Sequence, residues 1–397
     1  MKGDLKKPLG DIRIADFTWW QSGPQATQYL ASMGAEIIKI ESKKRPDALR
    51  RLGDGIPFLA LNRGKMSCTL DLTRSRARAL VKKLIGASDA VVENFGGGVM
   101  ERLGLDYNNL KKVKPNIVML SISGLGRTGP EKNNIAYAQN AHAYSGLSSL
   151  TGYVNGPPVS AGAFWGDQTA ALAGAFSLLT ALHYLKKTGR GQYIDLSMSE
   201  VLSSMIPEDI MDYTINTRVQ RPKGNRNNAI APHGCFRCRG KDEWVAIAVS
   251  NDEEWKGLCK VMNKMEWTRE KRFSDNESRL RNQDELESLI NKWTIKHGAG
   301  EAMEILQKAG VASGPSLKTD ELASDPQLGE RKFFLEGDQK EKGVHQSTRM
   351  PWICSSIPNT ISQPPPQPGE HNDYVFGDIL GLEQKEIKQL IKEGIIY

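Results

Sequence analysis

The first 120 residues alternate between two apolar periodicities. Ile12–Phe17 alternates like a strand, and Ile37–Glu41, Ser67–Leu72, Ala90–Glu93 and Ile117–Ile122 read as further strands. Helical stretches fall between them. One opens near Pro24, which a first helical turn tolerates, and closes before Gly34, and another runs over Ser75–Ile85. This βαβα order predicts an α/β fold, a largely parallel sheet with helices on its faces. There is no GxGxxG, so no dinucleotide fingerprint is read.

Gln168–Lys187 is the clearest helix. Ala170, Ala171, Ala173, Gly174 and Ala175 keep it slim enough for close backbone approach, and Gly189 follows its basic end as a left-handed cap would. Tyr193–Met198 then reads as a strand and Glu200–Tyr213 as a helix. The pattern changes at Arg218–Asn228, a polar, basic stretch with the character of a linker. Beyond it, Cys235–Cys238 and Trp244–Val249 form a hairpin pattern, and Asp252–Met262, Gln283–Ile295 and Gly300–Ala309 are helical. The proline-rich run Pro351–Pro368 is expected to cross in extended form to a last helix, Leu382–Lys392.

A chain of 397 residues exceeds what one core usually organises, so two lobes are expected. Hydrophobic residues at 39% and charged residues at 25% suit a soluble globular protein, and no apolar run is long enough to span a membrane. The stretch Met1–Lys7 lacks the apolar core of a secretory signal, so a cytoplasmic location is expected. The net charge of +7 admits nucleic acid, an anionic membrane or a polyphosphate ligand. The basic residues are dispersed among acidic ones and no nucleic-acid motif is present, which favours a small anionic ligand. The five cysteines form no disulfide framework. Cys235 and Cys238, with His233 nearby, have metal-type spacing but no second CxxC, so they read as hairpin thiols and no metal is expected.

Three stretches carry candidate chemistry, and two of them directly follow strands. They are Trp19-Trp20-Gln21-Ser22-Gly23-Pro24, Asn94-Phe95-Gly96-Gly97-Gly98 with Arg102, and Gly162-Ala163-Phe164-Trp165-Gly166-Asp167. In open α/β sheets, ligands bind at strand C-termini. Asp167 immediately precedes the long helical pattern, so it is either an N-cap or a catalytic carboxylate. The glycine run is a flexible turn or a phosphate cradle, and the tryptophans are core or pocket. Pattern alone leads to an α/β protein with a polar pocket.

The order of blocks narrows this. Pro8-Leu9-Gly10-Asp11-Ile12-Arg13-Ile14, Gly34-Ala35-Glu36-Ile37-Ile38-Lys39-Ile40-Glu41 and Leu61-Asn62-Arg63-Gly64-Lys65 with Leu70-Asp71-Leu72 resemble the opening of family III CoA-transferases. Asp89–Phe95 through Glu101–Gly104, Ser123–Pro130, Lys187–Gln192, Asp325–Leu328 and Gly369–Asn372 continue the series over nearly the whole chain. The resemblance implies a large Rossmann-like domain built from residues 1–216 and 351–397. It also implies a smaller middle domain over 217–318, a linker over 319–350, and an interlocked homodimer.

It further implies a nucleophilic Asp167 assisted by Gln21, with coenzyme A entering only as an acyl-CoA substrate and a free carboxylic acid as its partner. Trp20, Ser42, Lys43, Leu70, Arg74, Asn94, Phe95, Arg102 and Leu103 are then expected at the CoA site, and Trp19, Tyr137, Gln139, Gly166 and His233 near the acyl group. Gly166 would leave room for the thioester. Neither nucleic acid nor membrane is an expected partner. The chain departs from the formyl-CoA transferase pattern in carrying Ser42 after the Ile-Lys-Ile-Glu run and Thr73-Arg74 where a lysine is usual. Ala231-Pro232-His233-Gly234-Cys235 replaces that enzyme's tetraglycine lid, so oxalate or formate specificity is not implied. The rival in the same superfamily, an α-methylacyl-CoA racemase, needs a Gly-His-Asp base motif, and here that place reads Ala136-Tyr137-Ala138, with His142 out of register. A subunit of a heteromeric transferase is the other alternative.

Overall fold

Strands that are apolar on both faces must be covered on both sides, and this requirement organises the first part of the chain. The computed structural model describes residues 7–162, 164–339, 343–357 and 363–397. Met1–Lys6, Ala163 and residues 358–362 of the proline-rich run therefore lie outside the described residues. Six strands, β1 (Arg13–Asp16), β2 (Glu36–Glu41), β3 (Met66–Thr69), β4 (Ala90–Glu93), β5 (Val118–Ser123) and β6 (Tyr193–Ser197), form one parallel sheet in the order β3-β2-β1-β4-β5-β6. The chain winds outward from β1 in one direction and from β4 in the other, so a crevice opens between the ends of β1 and β4.

Adjacent strand residues serve opposite layers. Ile38 and Val91 join a core with Leu80, Leu84, Met119, Phe376, Ile387 and Leu390, whereas Ile37 and Val92 join one with Leu30, Leu120, Ala170 and Leu178. The first core contains helix Ser75–Gly86 and the C-terminal helix Gln384–Lys392. The second contains α1 (Ser22–Ser32) and the long helix Trp165–Thr188. Small residues let α1 and the long helix come together: a Cβ added at Gly174 would lie 3.7 Å from Ala26 Cβ and 3.2 Å from Ile122 Cδ1. The long helix closes at Gly189 (φ 72), as its cap signal predicts. The expected single helix over Glu200–Tyr213 is instead two, Met198–Ser203 and Pro207–Asn216. Pro207 has no N–H for a continuing helix, and it opens the second one.

The chain divides into two compact units: Met1–Ser148, Ser160–Val219 and Gly329–Tyr397 in the first, Ser149–Val159 and Gln220–Leu328 in the second. The second unit holds the expected hairpin, now β7 (His233–Arg237) and β8 (Trp244–Ala248), extended by β9 (Ala312–Pro315). Its core stacks Trp255, Trp267 and Phe273 beneath the helices Asp252–Val261, Gln283–Thr294 and Ala299–Lys308. Among the described residues no helix is long and apolar enough to cross a membrane, and no group of three or more His, Cys, Asp or Glu could hold a metal.

Replacing Gly174 with leucine should cost at least ~1–3 kcal/mol, because the larger side chain has to displace Ala26 and Ile122. Urea denaturation followed by circular dichroism measures this, and an unchanged midpoint would show that the two helices can part freely.

Candidate active site

β1 ends at Asp16, and the chain turns through Phe17–Gln21 into α1. Four charged side chains with almost no exposed surface, Asp16, Lys39, Asp47 and Lys65, hold this turn. Asp16 accepts the Thr18 N–H at 2.8 Å, the Thr18 hydroxyl at 2.5 Å and the Thr27 hydroxyl at 2.7 Å, and pairs with Lys65 Nζ at 3.2 Å. Lys65 also donates to the Pro24 carbonyl at 2.8 Å and to Asn62 Oδ1 at 2.9 Å. Lys39 donates to the Thr18 carbonyl and pairs with Asp47 at 3.2 Å. Asp47 in turn accepts the Trp20 N–H at 3.2 Å.

Burial pushes the Asp16 carboxyl upward, but Lys65, Lys39 and the two threonine hydroxyls outweigh it and hold the group below its ordinary value. For Lys65 burial is the stronger influence, bringing the ammonium down to about 8 against the pull of Asp16. Held in this way, Trp20 takes φ 58, a left-handed conformation that bulky residues rarely adopt and that costs roughly 1–3 kcal/mol. Its ring stands out from the turn, edge-on to Tyr137 at 6.5 Å between centroids.

The turn after β4 is tied to the same place. Asn94 Oδ1 accepts the Trp19 N–H at 3.1 Å, and Asn94 Nδ2 donates to the Trp19 carbonyl at 2.8 Å. Phe95 meets Trp19 edge to face at 5.6 Å. Beneath Phe95, the buried Glu93 accepts its N–H at 2.8 Å, while Arg127 pairs with Glu93 at 3.0 Å and donates to the Phe95 carbonyl. A Cβ at Gly23 would fall 2.4 Å from Thr18 Cγ2 and 3.1 Å from Asn94 Cγ, so glycine is what lets the two turns close together.

Asp167 does not cap its own helix. That helix begins at Trp165 with Phe164 in the N-cap position, which puts Asp167 inside the first turn. Its carboxylate lies close to Ser22, the first residue of α1, whose N–H and hydroxyl favour the charged form. Gln21 occupies the N-cap position of α1 without a capping side-chain bond. Burial outweighs the pull of Ser22 and raises the carboxyl to about 6. It remains mostly ionised at neutral pH.

The other expected residues are distributed as follows. Gly166 is buried, and a Cβ there would lie 3.2 Å from the Ala138 carbonyl and 3.4 Å from Leu202 Cδ1, so its small size serves packing at the helix start. Tyr137 precedes helix Ala138–Tyr144, on which Gln139 is exposed. A cavity of about 490 Å³ beside Trp19 and Trp20 is lined by Lys44, Arg45, Pro46, Ala48, Arg51 and Leu52. Lys43 is exposed next to this run, and the Ser42 hydroxyl accepts the Arg45 N–H at 3.3 Å. Arg74 is exposed at the start of helix Ser75–Gly86, and Arg102 is exposed in the last turn of helix Val99–Leu103, its guanidinium close to Gly98. Leu70 is fully buried and Leu103 packs against the same core, so the Leu70 side chain is committed to the fold. His233 belongs to the second unit, where a ring nitrogen bonds the Asn225 carbonyl at 2.6 Å. His142, the only histidine in the racemase region, is buried and bonded to Ser148 at 2.7 Å.

Sequence reasoning missed Ser22 as the partner of Asp167, and also the supporting charges Asp16, Lys39, Asp47, Lys65, Glu93 and Arg127. A charged residue inside an apolar strand, as with Lys39 and Glu93, was the available signal. A larger cavity of about 580 Å³ lies at the opposite, N-terminal edge of the sheet, where Arg13 is already paired with Glu36.

A six-stranded parallel sheet, a half-buried carboxylate near the start of α1 and a basic, aromatic cavity beside Trp19 and Trp20 together make an α/β enzyme site. The family model for CoA-transferase family III matches residues 9–372, and the chain belongs to that family and is a CoA-transferase. It is 29% identical to the succinyl-CoA–D-citramalate CoA-transferase of Chloroflexus aurantiacus, with 98% of each chain covered. It is 31% identical to the succinyl-CoA–L-malate CoA-transferase alpha subunit of the same organism, over 99% of this chain and 94% of that one. A CAIB/BAIF family protein from Brucella suis superposes with a TM-score of 0.86 at 28% identity, over 94% of this chain and 100% of the other.

Lys65→Met should destabilise the protein by roughly 3–5 kcal/mol by leaving Asp16 buried and uncompensated. The double variant with Asp16→Asn should recover much of that loss, because the two groups act as a pair. Urea denaturation of both variants measures the coupling, and strictly additive losses would refute it.

Proposed function

We propose that this enzyme moves CoA between two carboxylic acids through covalent intermediates on Asp167. The observation that carries this reading is a half-buried carboxylate in the first turn of the long helix, close to Ser22 at the start of α1 and raised above its ordinary value by its surroundings. An Asp167 oxygen attacks the donor thioester carbon; the new C–O bond forms, the C–S bond breaks and CoA leaves as thiolate, giving a mixed anhydride. The thiolate sulfur then attacks the aspartyl carbonyl carbon, and the donor acid departs as its carboxylate. The acceptor carboxylate attacks the resulting aspartyl-CoA thioester and releases the thiolate again. Attack of the thiolate on the acceptor carbonyl yields the new acyl-CoA and restores Asp167. No net proton moves, so the cycle needs no general acid or base.

Gln21, adjoining Ser22 at the helix start, donates its amide to the developing oxyanions. Lys43, Lys44, Arg45 and Arg51 receive the phosphates of CoA around the Trp19–Trp20 cavity. The names of the relatives support succinyl-CoA as the first donor to test, with C4 and C5 diacids as acceptors. The Trp20–Tyr137 pair makes aromatic acids the second arm of the same assay.

The working form is a homodimer. The long helix is apolar nearly all round, yet Leu172, Phe176 (74% exposed) and Tyr184 lie bare on it, and helix Pro207–Asn216 exposes Ile210, Met211 and Ile215 without burying any residue. A second copy covers these faces. Light scattering should give twice the mass of one chain, unchanged on dilution because linked rings cannot part, and a single-chain mass would refute the assembly.

Asp167→Asn should lower kcat by on the order of 10³-fold or more. The wild-type profile of kcat/KM should lose activity as pH falls through about 6, because protonation removes the nucleophile. The same substitution should stabilise the fold by ~1–3 kcal/mol above pH 6, where the wild type carries a desolvated charge. That gain should shrink towards zero as pH falls to about 4, the ordinary carboxyl range. Steady-state kinetics and thermal melts across pH check both parts, and an Asn variant with wild-type turnover would end the reading.

A further inference from the structure

Two successive peptide groups lead into Gln21, and side chains from elsewhere in the sheet grip each of them at both ends. In the Thr18–Trp19 peptide the carbonyl accepts from Lys39 Nζ, and the N–H donates to Asn94 Oδ1 at 3.1 Å. In the Trp19–Trp20 peptide the carbonyl accepts from Asn94 Nδ2 at 2.8 Å, and the N–H donates to Asp47 Oδ1 at 3.2 Å. Asp47 has a second task. The same Oδ1 accepts the Leu49 N–H at 3.1 Å and holds the short helical turn Ala48–Arg50, while Oδ2 pairs with Lys39 Nζ at 3.2 Å. Its chain neighbours Pro46 and Ala48 line the cavity beside Trp20 together with Lys44, Arg45 and Arg51. Asp47 itself is only 4% exposed and is not part of that lining. One buried carboxylate therefore joins the wall of the basic cavity to the backbone at the entrance of α1.

We propose that Asp47 is a positioning residue that sets the register between the basic cavity and the turn carrying Gln21, so that a thioester anchored by its nucleotide end presents its carbonyl carbon to the reacting groups. This rests on the reading of the cavity as the CoA site. Asp47 acts through the Trp20 N–H and not on the substrate. Trp20 holds a left-handed φ of 58, which a bulky side chain keeps only while its surroundings impose it. Without the Oδ1 acceptor the turn relaxes relative to the cavity wall, and Gln21, the next residue, moves with it. A donor held at its phosphates cannot follow the turn. A donor that lacks them can. A misplacement of about 1 Å is enough to cost on the order of 10²-fold in rate.

Substituting Asp47 alone leaves the buried Lys39 charge without its partner, so the test compares two double variants, Lys39→Met with Asp47→Asn and Lys39→Met with Asp47→Ala. Both lack the ion pair, and only the first keeps an acceptor for the Trp20 and Leu49 N–H groups. Each is assayed with the acyl-CoA of highest turnover in a panel headed by succinyl-CoA, and with the pantetheine thioester of the same acid, which carries neither nucleotide nor phosphate. Relative to the Asn variant, the Ala variant should show kcat ~10–100-fold lower with the acyl-CoA and within about 5-fold with the pantetheine thioester. Its affinity for CoA, measured by titration calorimetry, should stay within about 3-fold. Equal losses on both thioesters, or no loss on either, would overturn the proposal and leave Asp47 a support of the fold alone. If the Ala variant does not fold, Asp47→Glu, which keeps a charge for Lys39 but displaces the acceptor, reads out the same split. Arg45→Glu with Arg51→Glu tests the cavity separately. Unchanged CoA affinity in that variant would remove the cavity as the CoA site and this proposal with it, whereas weakened CoA binding there, with equal losses on both thioesters in the Ala variant, would sink the positioning role alone.

Discussion

The structure turns on four charges buried beneath one turn. Asp16, Lys39, Asp47 and Lys65 come from β1, β2, the loop after β2 and the approach to β3, and they converge under Thr18–Pro24. Ion pairs of this kind add little net stability, since desolvation offsets most of the attraction. What they add is position. With water excluded, each partner has few alternative places to go, and the turn between β1 and α1 is held even though Trp20 must adopt a left-handed backbone.

Everything functional follows from where that turn leaves the end of α1. Its free N–H groups favour an anion, and the nearest one comes from a different helix, brought there by the close approach at Ala26 and Gly174. Two effects then oppose each other at Asp167. Burial disfavours the charge, while Ser22 favours it, and burial wins far enough to place the carboxyl near 6. A carboxylate poised there is ionised at neutral pH yet poorly solvated, as the proposed relay requires.

The sheet explains why the site forms where it does. Strand order reverses between β1 and β4, and Asn94, just beyond β4, bonds both backbone groups of Trp19, just beyond β1. The crevice is thus stitched across by one amide side chain. The Glu93–Arg127 pair fixes Phe95 from below, so the aromatic lining is set by buried charge on that side too.

Much of this was legible in the chain. The strand and helix alternation, the hairpin Cys235–Cys238 with Trp244–Val249, and the cap at Gly189 are local signals, and they emerged within about three residues. Block order pointed to the family and so to Asp167 and Gln21. Local signals failed where the deciding partner is distant. Asp167 looked like the cap of its own helix, because a carboxylate before a helical run satisfies nearby N–H groups in most chains. Only packing showed that it lies beside the start of another helix. Leu70 and Gly166 stand at expected site positions, and in the folded chain the Leu70 side chain lies in the core while Gly166 packs against Ala138. The sequence by itself determined the elements and the residue types available for chemistry, because periodicity and turn preference act over a few residues. Tertiary structure alone decided which donor meets which carboxylate and how far burial shifts it, because both depend on groups far apart in the chain meeting where water is excluded.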